Sequence, residues 1–364
     1  MRKPRFLSSL LAFLFLCGFT TAEKNTLKDQ FSYSFNDIQG NLVVVEHDRG
    51  VGSGFIAKMG GRHYIFTNQH VILGANKIQF KTVSGKTLKP KRVELSMTRD
   101  IARLLLDTDS GLEVSSSPKT GIPIGVFGNS DGAGVATELY GKVTSVSSDL
   151  IEISADFVLG NSGSPVLNTD KEVLGIASFL RFSNDKKKKD DDEPDTITRR
   201  FCYRLTDLEW KAVNWKKYNE NYGFFFVEND ALTDEIFEVI WSWFSNPFTK
   251  VSTENLPDSD LIKWAKNHNQ VVSRIERISN TRITQHKLDN TNKQIRKDLI
   301  DSANVLSAVC AKRERQMRLF SSQKELTGFM QDKFLRLSKR LGNASKQLDG
   351  FAEDLQGLNY FSFN

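Results

Sequence analysis

From Phe35 to about Leu205 the chain is a succession of short runs rich in Val, Ile, Phe and Thr, among them NLVVVEH, GSGFIAK, HYIFTNQHVI, PIGVFG and EVLGIASFL. Gly, Asn, Asp or Ser breaks the pattern after roughly every ten residues, which is the spacing of strands and turns in an all-β barrel or sandwich. Within this region Asn184 to Pro194 (NDKKKKDDDEP) contains no apolar side chain and reads as a solvated hairpin tip between the last two strands.

After Tyr203 the pattern changes. LEWKAVNWKKYNENYGFFF is a connecting stretch dense in aromatic residues, and Thr233 opens a helical segment that runs to Phe244 and is stopped by Asn246-Pro247. Beyond Asp258 apolar residues recur at helical intervals, first as Ile295, Leu299, Leu306, Val309, Met317 and Phe320. A second series, Phe334, Leu337, Leu341, Ala344, Leu348, Phe351 and Leu355, alternates steps of three and four. Such a row needs an apolar partner, either the earlier stripe in a helical hairpin or another copy of the chain in a short coiled coil. Gly328 between the stripes favours reversal, and hence the hairpin.

With 364 residues, 39% hydrophobic and 26% charged, the chain is long enough for more than one folded unit. The expected organisation is a leader over 1–22, a β domain over 35–205, an aromatic-rich linker with a short helix over 206–257, and a helical domain over 258–356. The leader is read from Arg2, Lys3 and Arg5 ahead of the apolar run Phe6 to Phe19, followed by Thr20-Thr21-Ala22. That is the pattern of a signal peptide cleaved after Ala22, which places the mature chain outside the cytoplasm, periplasmic or secreted. The run is short for a bilayer, so stable membrane insertion is not expected.

The net charge of +6 is unevenly spread: Asp258 to Gly350 holds 19 Lys and Arg against 10 Asp and Glu. No aromatic pattern interleaves these cations, so a solvated helical face is expected and nucleic acid is not. Cys202 and Cys310 remain after the leader. They form either one disulfide or two separate buried thiols. With no CxxC and no Cys/His cluster, neither a metal nor any other cofactor is indicated.

Three residues share the strand-rich region in the order His70, Asp100, Ser162, within TNQHV, RDIARL and LGNSGSPV. A serine hydroxyl is a weak nucleophile at neutral pH. It needs an imidazole to take its proton and a carboxylate to orient that imidazole and stabilise its cation. Negative charge then develops on the attacked carbonyl oxygen and must be met by convergent N–H groups; Gly160 allows its peptide to turn inward beside the N–H of Ser162.

These blocks resemble those of the trypsin-like (chymotrypsin-fold) serine proteases: TNQHV the histidine block, RDIARL the aspartate block, GNSGSP the serine block, and VLGIAS the strand that lines the substrate cleft. The resemblance covers about Asn41 to Leu205. It implies a double β-barrel and a serine endopeptidase acting through an acyl-enzyme on a protein or peptide substrate. His70 is then the general base, Asp100 its orienting carboxylate and Ser162 the nucleophile, with Gly160 and Ser162 as oxyanion donors. Ser178 stands where the family has a serine supporting the triad carboxylate.

Two positions depart from the family pattern. Asn161 replaces the Asp that in digestive and clotting members pairs with a new N-terminal ammonium, and no IVGG occurs, so the bacterial periplasmic type is the closer likeness. Ser164 replaces the usual Gly. At the first subsite, Asp156 falls where basic-selective members place their acid, with Phe157 beside it and Phe179 and Leu180 along the cleft strand. A basic preference, a small apolar pocket and a structural Asp156 all remain open. A reading from a different class is a catalytically silent module of the same fold that holds an envelope protein or polymer.

Overall fold

The computed structural model describes residues 26–129, 136–184, 196–254, 256, 258–279 and 285–357. The leader over 1–22 and residues 185–195 of the charged tract lie outside the described residues. The chain divides into two compact units, 1–218 and 219–364.

The first unit is built from two β systems. Strands β1 (Leu42–His47), β2 (Gly50–Met59), β3 (Arg62–Thr67), β4 (Ile78–Thr82), β5 (Thr87–Leu88), β6 (Arg92–Ser96), β7 (Ala102–Leu106), β8 (Leu112–Glu113) and β15 (Trp210–Val213) form a curled sheet. Its order is β15-β6-β7-β3-β2-β1-β4-β5, with β8 added in parallel to β2. Strands β9 (Pro123–Asn129), β10 (Ala136–Val146), β11 (Leu150–Ile153), β12 (Pro165–Leu167), β13 (Val173–Asn184) and β14 (Thr196–Tyr203) close into a barrel in the order β10-β11-β14-β13-β12-β9. This is the double-barrel architecture expected from the sequence, with the first half curled and the second closed.

Strand alternation explains the cores. In β7 the side chains of Ala102, Leu104 and Leu106 are buried while Arg103 and Leu105 are half-buried. Phe55 of β2 stacks on Phe66 of β3 with ring centroids 5.5 Å apart, and both are fully buried. Burying rings of this size is worth roughly 1.5–3 kcal/mol each. The second barrel fills with Ile124, Val126, Val143, Ile151, Val166 and Ala177.

Part of the expected linker is sheet. Trp210–Val213 pairs antiparallel with β6, so the chain returns to the first sheet after completing the second barrel. Trp210 packs edge-on against Phe66, and the Arg103 guanidinium lies 4.2 Å from its ring centroid and 4.4 Å from that of Tyr64. The aromatic residue that looked like linker is a strand residue because it covers this cation and the core edge.

The second unit is helical. Besides α1 (Gln69–Ile72) and α2 (Trp215–Tyr218) of the first unit, the chain forms α3 (Phe224–Ser245), α4 (Ser259–Ser279), α5 (Gln285–Ser321) and α6 (Gly328–Gly357). Helix α3 stops before Asn246-Pro247 as expected, but it begins at Phe224, well ahead of Thr233. Thr233 is an interior residue: it is buried, and its hydroxyl returns a 2.6 Å hydrogen bond to the Asn229 carbonyl. Helices α5 and α6 pack against each other as a hairpin. The seam residues Phe334, Leu337, Leu341, Ala344, Leu348 and Leu355 are buried, as are Leu299, Leu306 and Met317 of α5. Phe351 is half-buried between Trp243 and Phe244, with centroids 5.1 and 5.3 Å away. Cys202 lies in the second barrel and Cys310 in α5; both are buried free thiols, so of the two readings the disulfide is excluded. No described helix is long and apolar enough to cross a membrane.

Candidate active site

His70 sits on the one-turn helix α1 that follows β3, and Asp100 on the turn between β6 and β7. Because β3 pairs with β7 from Thr67↔Ala102 onward, the two turns leave the sheet side by side. His70 Nδ1 lies 2.5 Å from Asp100 Oδ2, and the His70 backbone N–H donates to Asp100 Oδ1 at 3.1 Å. An ionised carboxylate only accepts, so Nδ1 carries a proton, and in the neutral ring Nε2 keeps its lone pair. The Asp100 side chain is 9% exposed and the imidazole 43%, so a buried carboxylate backs a ring that reaches solvent.

The residues before His70 hold the aspartate turn. Asn68 Nδ2 donates to the Asp100 carbonyl at 2.6 Å and to Ser178 Oγ at 3.0 Å, while Gln69 Nε2 donates to the carbonyls of Ser96 and Arg99. Ser178 Oγ in turn donates to the Ile176 carbonyl, so it reaches the aspartate turn through Asn68. The Arg99 guanidinium fastens the same turn to the second barrel system, donating to the carbonyls of Arg204 and Thr206 and to Asp149. Asn68 and Gln69 stood in TNQHV in plain view, but nothing local reveals a side chain aimed at another strand's carbonyl.

Ser162 belongs to the turn between Val158 and Ser164. Gly160 and Gly163 have φ of 90° and 92°, a region that side chains resist. At Gly163 a Cβ would also come within 1.9 Å of the Ser53 carbonyl oxygen, so the close approach of the turn to β2 requires glycine there. The turn is tied by Asn161 N–H to the Val158 carbonyl, Val158 N–H to Asn161 Oδ1, Ser164 N–H to the Asn161 carbonyl and Gly163 N–H to the Ala177 carbonyl. Asn161 thus uses its amide oxygen inside the turn. Among the described residues the N–H groups of Leu159, Gly160 and Ser162 donate to nothing, and those of Gly160 and Ser162 flank Asn161. Ser162 is half-buried, and its Oγ likewise makes no hydrogen bond among the described residues. Gly163 abuts Thr67, three residues before His70: a Cβ there would lie 2.8 Å from Thr67 Oγ1.

At the expected first subsite, Asp156 Oδ1 is 3.4 Å from Arg200 Nη2, and Arg200 Nε donates to the Phe157 carbonyl at 3.1 Å. Arg200 was not foreseen; it arrives by the register of β14, where it faces Leu180 of β13. Phe157, expected along the pocket, instead turns its ring into the second barrel's core and is 2% exposed; it lies in the turn after β11, where its N–H donates to the Ala155 carbonyl at 2.8 Å. Phe179 stacks on Phe201 at 5.2 Å, and Leu180 is half-buried against the same core. Among the described residues no three His, Cys, Asp or Glu side chains are grouped to hold a metal.

Residues 52–176 match the family model of the trypsin-like peptidase domain. The chain is 29% identical over 190 residues to the serine protease Do-like HtrA of Bacillus subtilis, covering 47% of this chain and 41% of that protein. It is 32% identical over 151 residues to a probable periplasmic serine endoprotease DegP-like of Halomonas elongata, covering 37% and 30%. It is also 33% identical over 173 residues to a probable periplasmic serine protease do/HhoA-like of Haemophilus influenzae, covering 42% and 37%. The chain therefore spans less than half the length of these curated relatives, and the helical unit lies outside the residues that match the family model. The match over 52–176 lies within the double-barrel unit, so that unit contains a trypsin-like peptidase domain.

Proposed function

We propose that the β unit is a serine endopeptidase in which Ser162, His70 and Asp100 act as a triad and the backbone N–H groups of Gly160 and Ser162 form the oxyanion hole. The observation that carries this reading is that an aspartate-bound imidazole and two unused N–H groups flanking Asn161 occur in one matched domain. In the reaction, Ser162 Oγ bonds to the scissile carbonyl carbon as His70 Nε2 takes its proton. Asp100 stabilises the imidazolium, and the two N–H groups meet the oxygen as it becomes negative. Collapse of this adduct expels the amine, which takes the proton from His70, and leaves an acyl group on Ser162. Water, with His70 again as base, then releases the acid and restores the serine. The first step needs Ser162 Oγ within hydrogen-bond reach of Nε2, a contact that commonly tightens only when substrate is bound.

The leader pattern over Arg2 to Ala22, and the periplasmic designation of two relatives, support an extracytoplasmic site of action. Because Arg200 partners Asp156, the first subsite carries no uncompensated negative charge, which supports an apolar rather than a basic residue before the cleaved bond. A fluorophosphonate probe tests the reading: wild-type protein should be labelled on Ser162, and Ser162→Ala should not. A folded wild-type protein that takes no label would leave the silent binding module as the better account.

A further inference from the structure

We infer that Ser53, on β2 of the first sheet, is a positioning residue that holds the nucleophile turn in its oxyanion-binding shape. This rests on the serine endopeptidase reading above. Ser53 is fully buried and all of its polar atoms are engaged. Its backbone N–H donates to the Ser162 carbonyl at 3.0 Å, and its carbonyl accepts from Thr67 Oγ1 at 2.7 Å. Its hydroxyl donates to the Gly160 carbonyl at 2.9 Å and accepts from the Asn129 backbone N–H at 2.9 Å. A hydroxyl has one hydrogen. With Asn129 supplying its own, that hydrogen goes to Gly160.

The two carbonyls that Ser53 grips belong to the two residues whose free N–H groups flank Asn161. Gly160 has no side chain to restrict its backbone, and its φ of 90° is one of many values open to it. The Gly160 carbonyl and N–H lie in successive peptide planes that meet at its Cα, so holding the carbonyl fixes one plane, and the N–H of the other is set by the Gly160 backbone angles alone. The Ser162 carbonyl is held by the Ser53 main chain, and the Asn161 carbonyl between them by the Ser164 N–H. Every carbonyl from Gly160 to Ser162 is thus turned into the protein, and the Gly160 and Ser162 N–H groups are the ones left for a ligand. Without the Ser53 hydroxyl the Gly160 carbonyl loses its anchor, and the backbone angles of Gly160, which join that peptide to the one bearing the Gly160 N–H, are free to leave the arrangement an oxyanion needs.

The test uses the full chain with Ser53→Ala, compared with Thr82→Val, which deletes another buried hydroxyl, in β4, bonded to Ser84 and the Lys86 N–H. On a peptide ester, Ser53→Ala should lower kcat by about tenfold to a hundredfold, below the full cost of deleting an oxyanion donor, with KM within about twofold of wild type. Its affinity for a peptide boronate should fall by the same factor as kcat, whereas affinity for a non-reactive peptide amide should not change. Thr82→Val should lower thermal stability by a similar amount and leave kcat and boronate affinity at wild-type values. If Ser53→Ala does not fold, Ser53→Cys keeps the shape with a weaker donor and should show the same changes to a smaller degree. Labelled wild type together with an unchanged kcat and boronate affinity in the folded Ser53 variant would overturn the clamp and leave the endopeptidase reading standing. Wild type that takes no fluorophosphonate would remove both.

Discussion

Arg200 of β14 and Asp156 of the turn after β11 face each other at 3.4 Å, so the acid at the expected first subsite carries a cation supplied by its own barrel. The guanidinium is further held by the Phe157 carbonyl and is the more buried of the two, its side chain 18% exposed against 34% for Asp156. A lysine or arginine side chain entering here would meet a carboxylate already compensated and a like charge behind it.

On that account the wild-type protein prefers peptide esters with alanine or valine before the scissile bond over those with lysine. Arg200→Gln uncovers Asp156 and should raise kcat/KM for the lysine ester, relative to the valine ester, by about tenfold or more. A wild-type enzyme already selective for lysine would contradict this assignment of Arg200.

If Ser162, His70 and Asp100 act as the proposed triad, they form one unit and their lesions should not add. Ser162→Ala, His70→Ala and the double variant are each expected to lower kcat by roughly 10⁴-fold or more, to a common residual rate. Asp100→Asn should come close, because an amide facing Nδ1 favours the wrong tautomer. Single-turnover assays with circular dichroism on the same samples measure this. A double variant far slower than either single one would mean that the residues act separately.

Burial pushes the Cys310 thiol up to about 12 and the Cys202 thiol well above the ordinary range, so neither is a thiolate at neutral pH. Both should be silent to an aromatic disulfide reagent in the native protein and react on denaturation. Electrophoretic mobility should not change with reductant. Reaction of either thiol in the folded state, or a mobility shift, would argue against this burial.

His268 lies parallel to Trp264, with ring centroids 5.3 Å apart, and Nε2 is 3.2 Å from the Thr249 carbonyl. Its burial holds the imidazole below its ordinary range, with the carbonyl opposing in part. The folded state therefore binds this proton less readily than the unfolded chain, whose histidine titrates near about 6.5. Stability from the neutral ring is present above that value and declines as pH falls below it. The helical ellipticity should melt at lower temperature at pH 5.5 than at 7.5, and His268→Phe should flatten that dependence. An equal slope in the variant would assign the effect to other groups.

What could be read along the chain was whatever depends on near neighbours. The alternation of β7, the helical steps of Phe334 to Leu355, and the glycines of LGNSGSPV each express a local backbone requirement, so strands, hairpin and the tight turn around Ser162 were legible. The close pairing of His70 with Asp100 followed once β3 and β7 paired, and their order along the chain pointed to it. Ser53 and Arg200 left no such trace. Ser53 meets Gly160 across 107 positions and Arg200 meets the Phe157 carbonyl across 43, so their partners are set by how the first sheet meets the second barrel and by the register of β14. The strand at Trp210 and the interior position of Thr233 in α3 left no local trace for the same reason. Each side chain suits several local settings, and the choice fell to tertiary contacts, the Arg103 guanidinium for one and the buried Asn229 carbonyl for the other. Local sequence determines which conformations a segment favours; only the folded chain decides which buried polar groups must satisfy one another, because the cost of leaving them unpaired arises only once water is excluded.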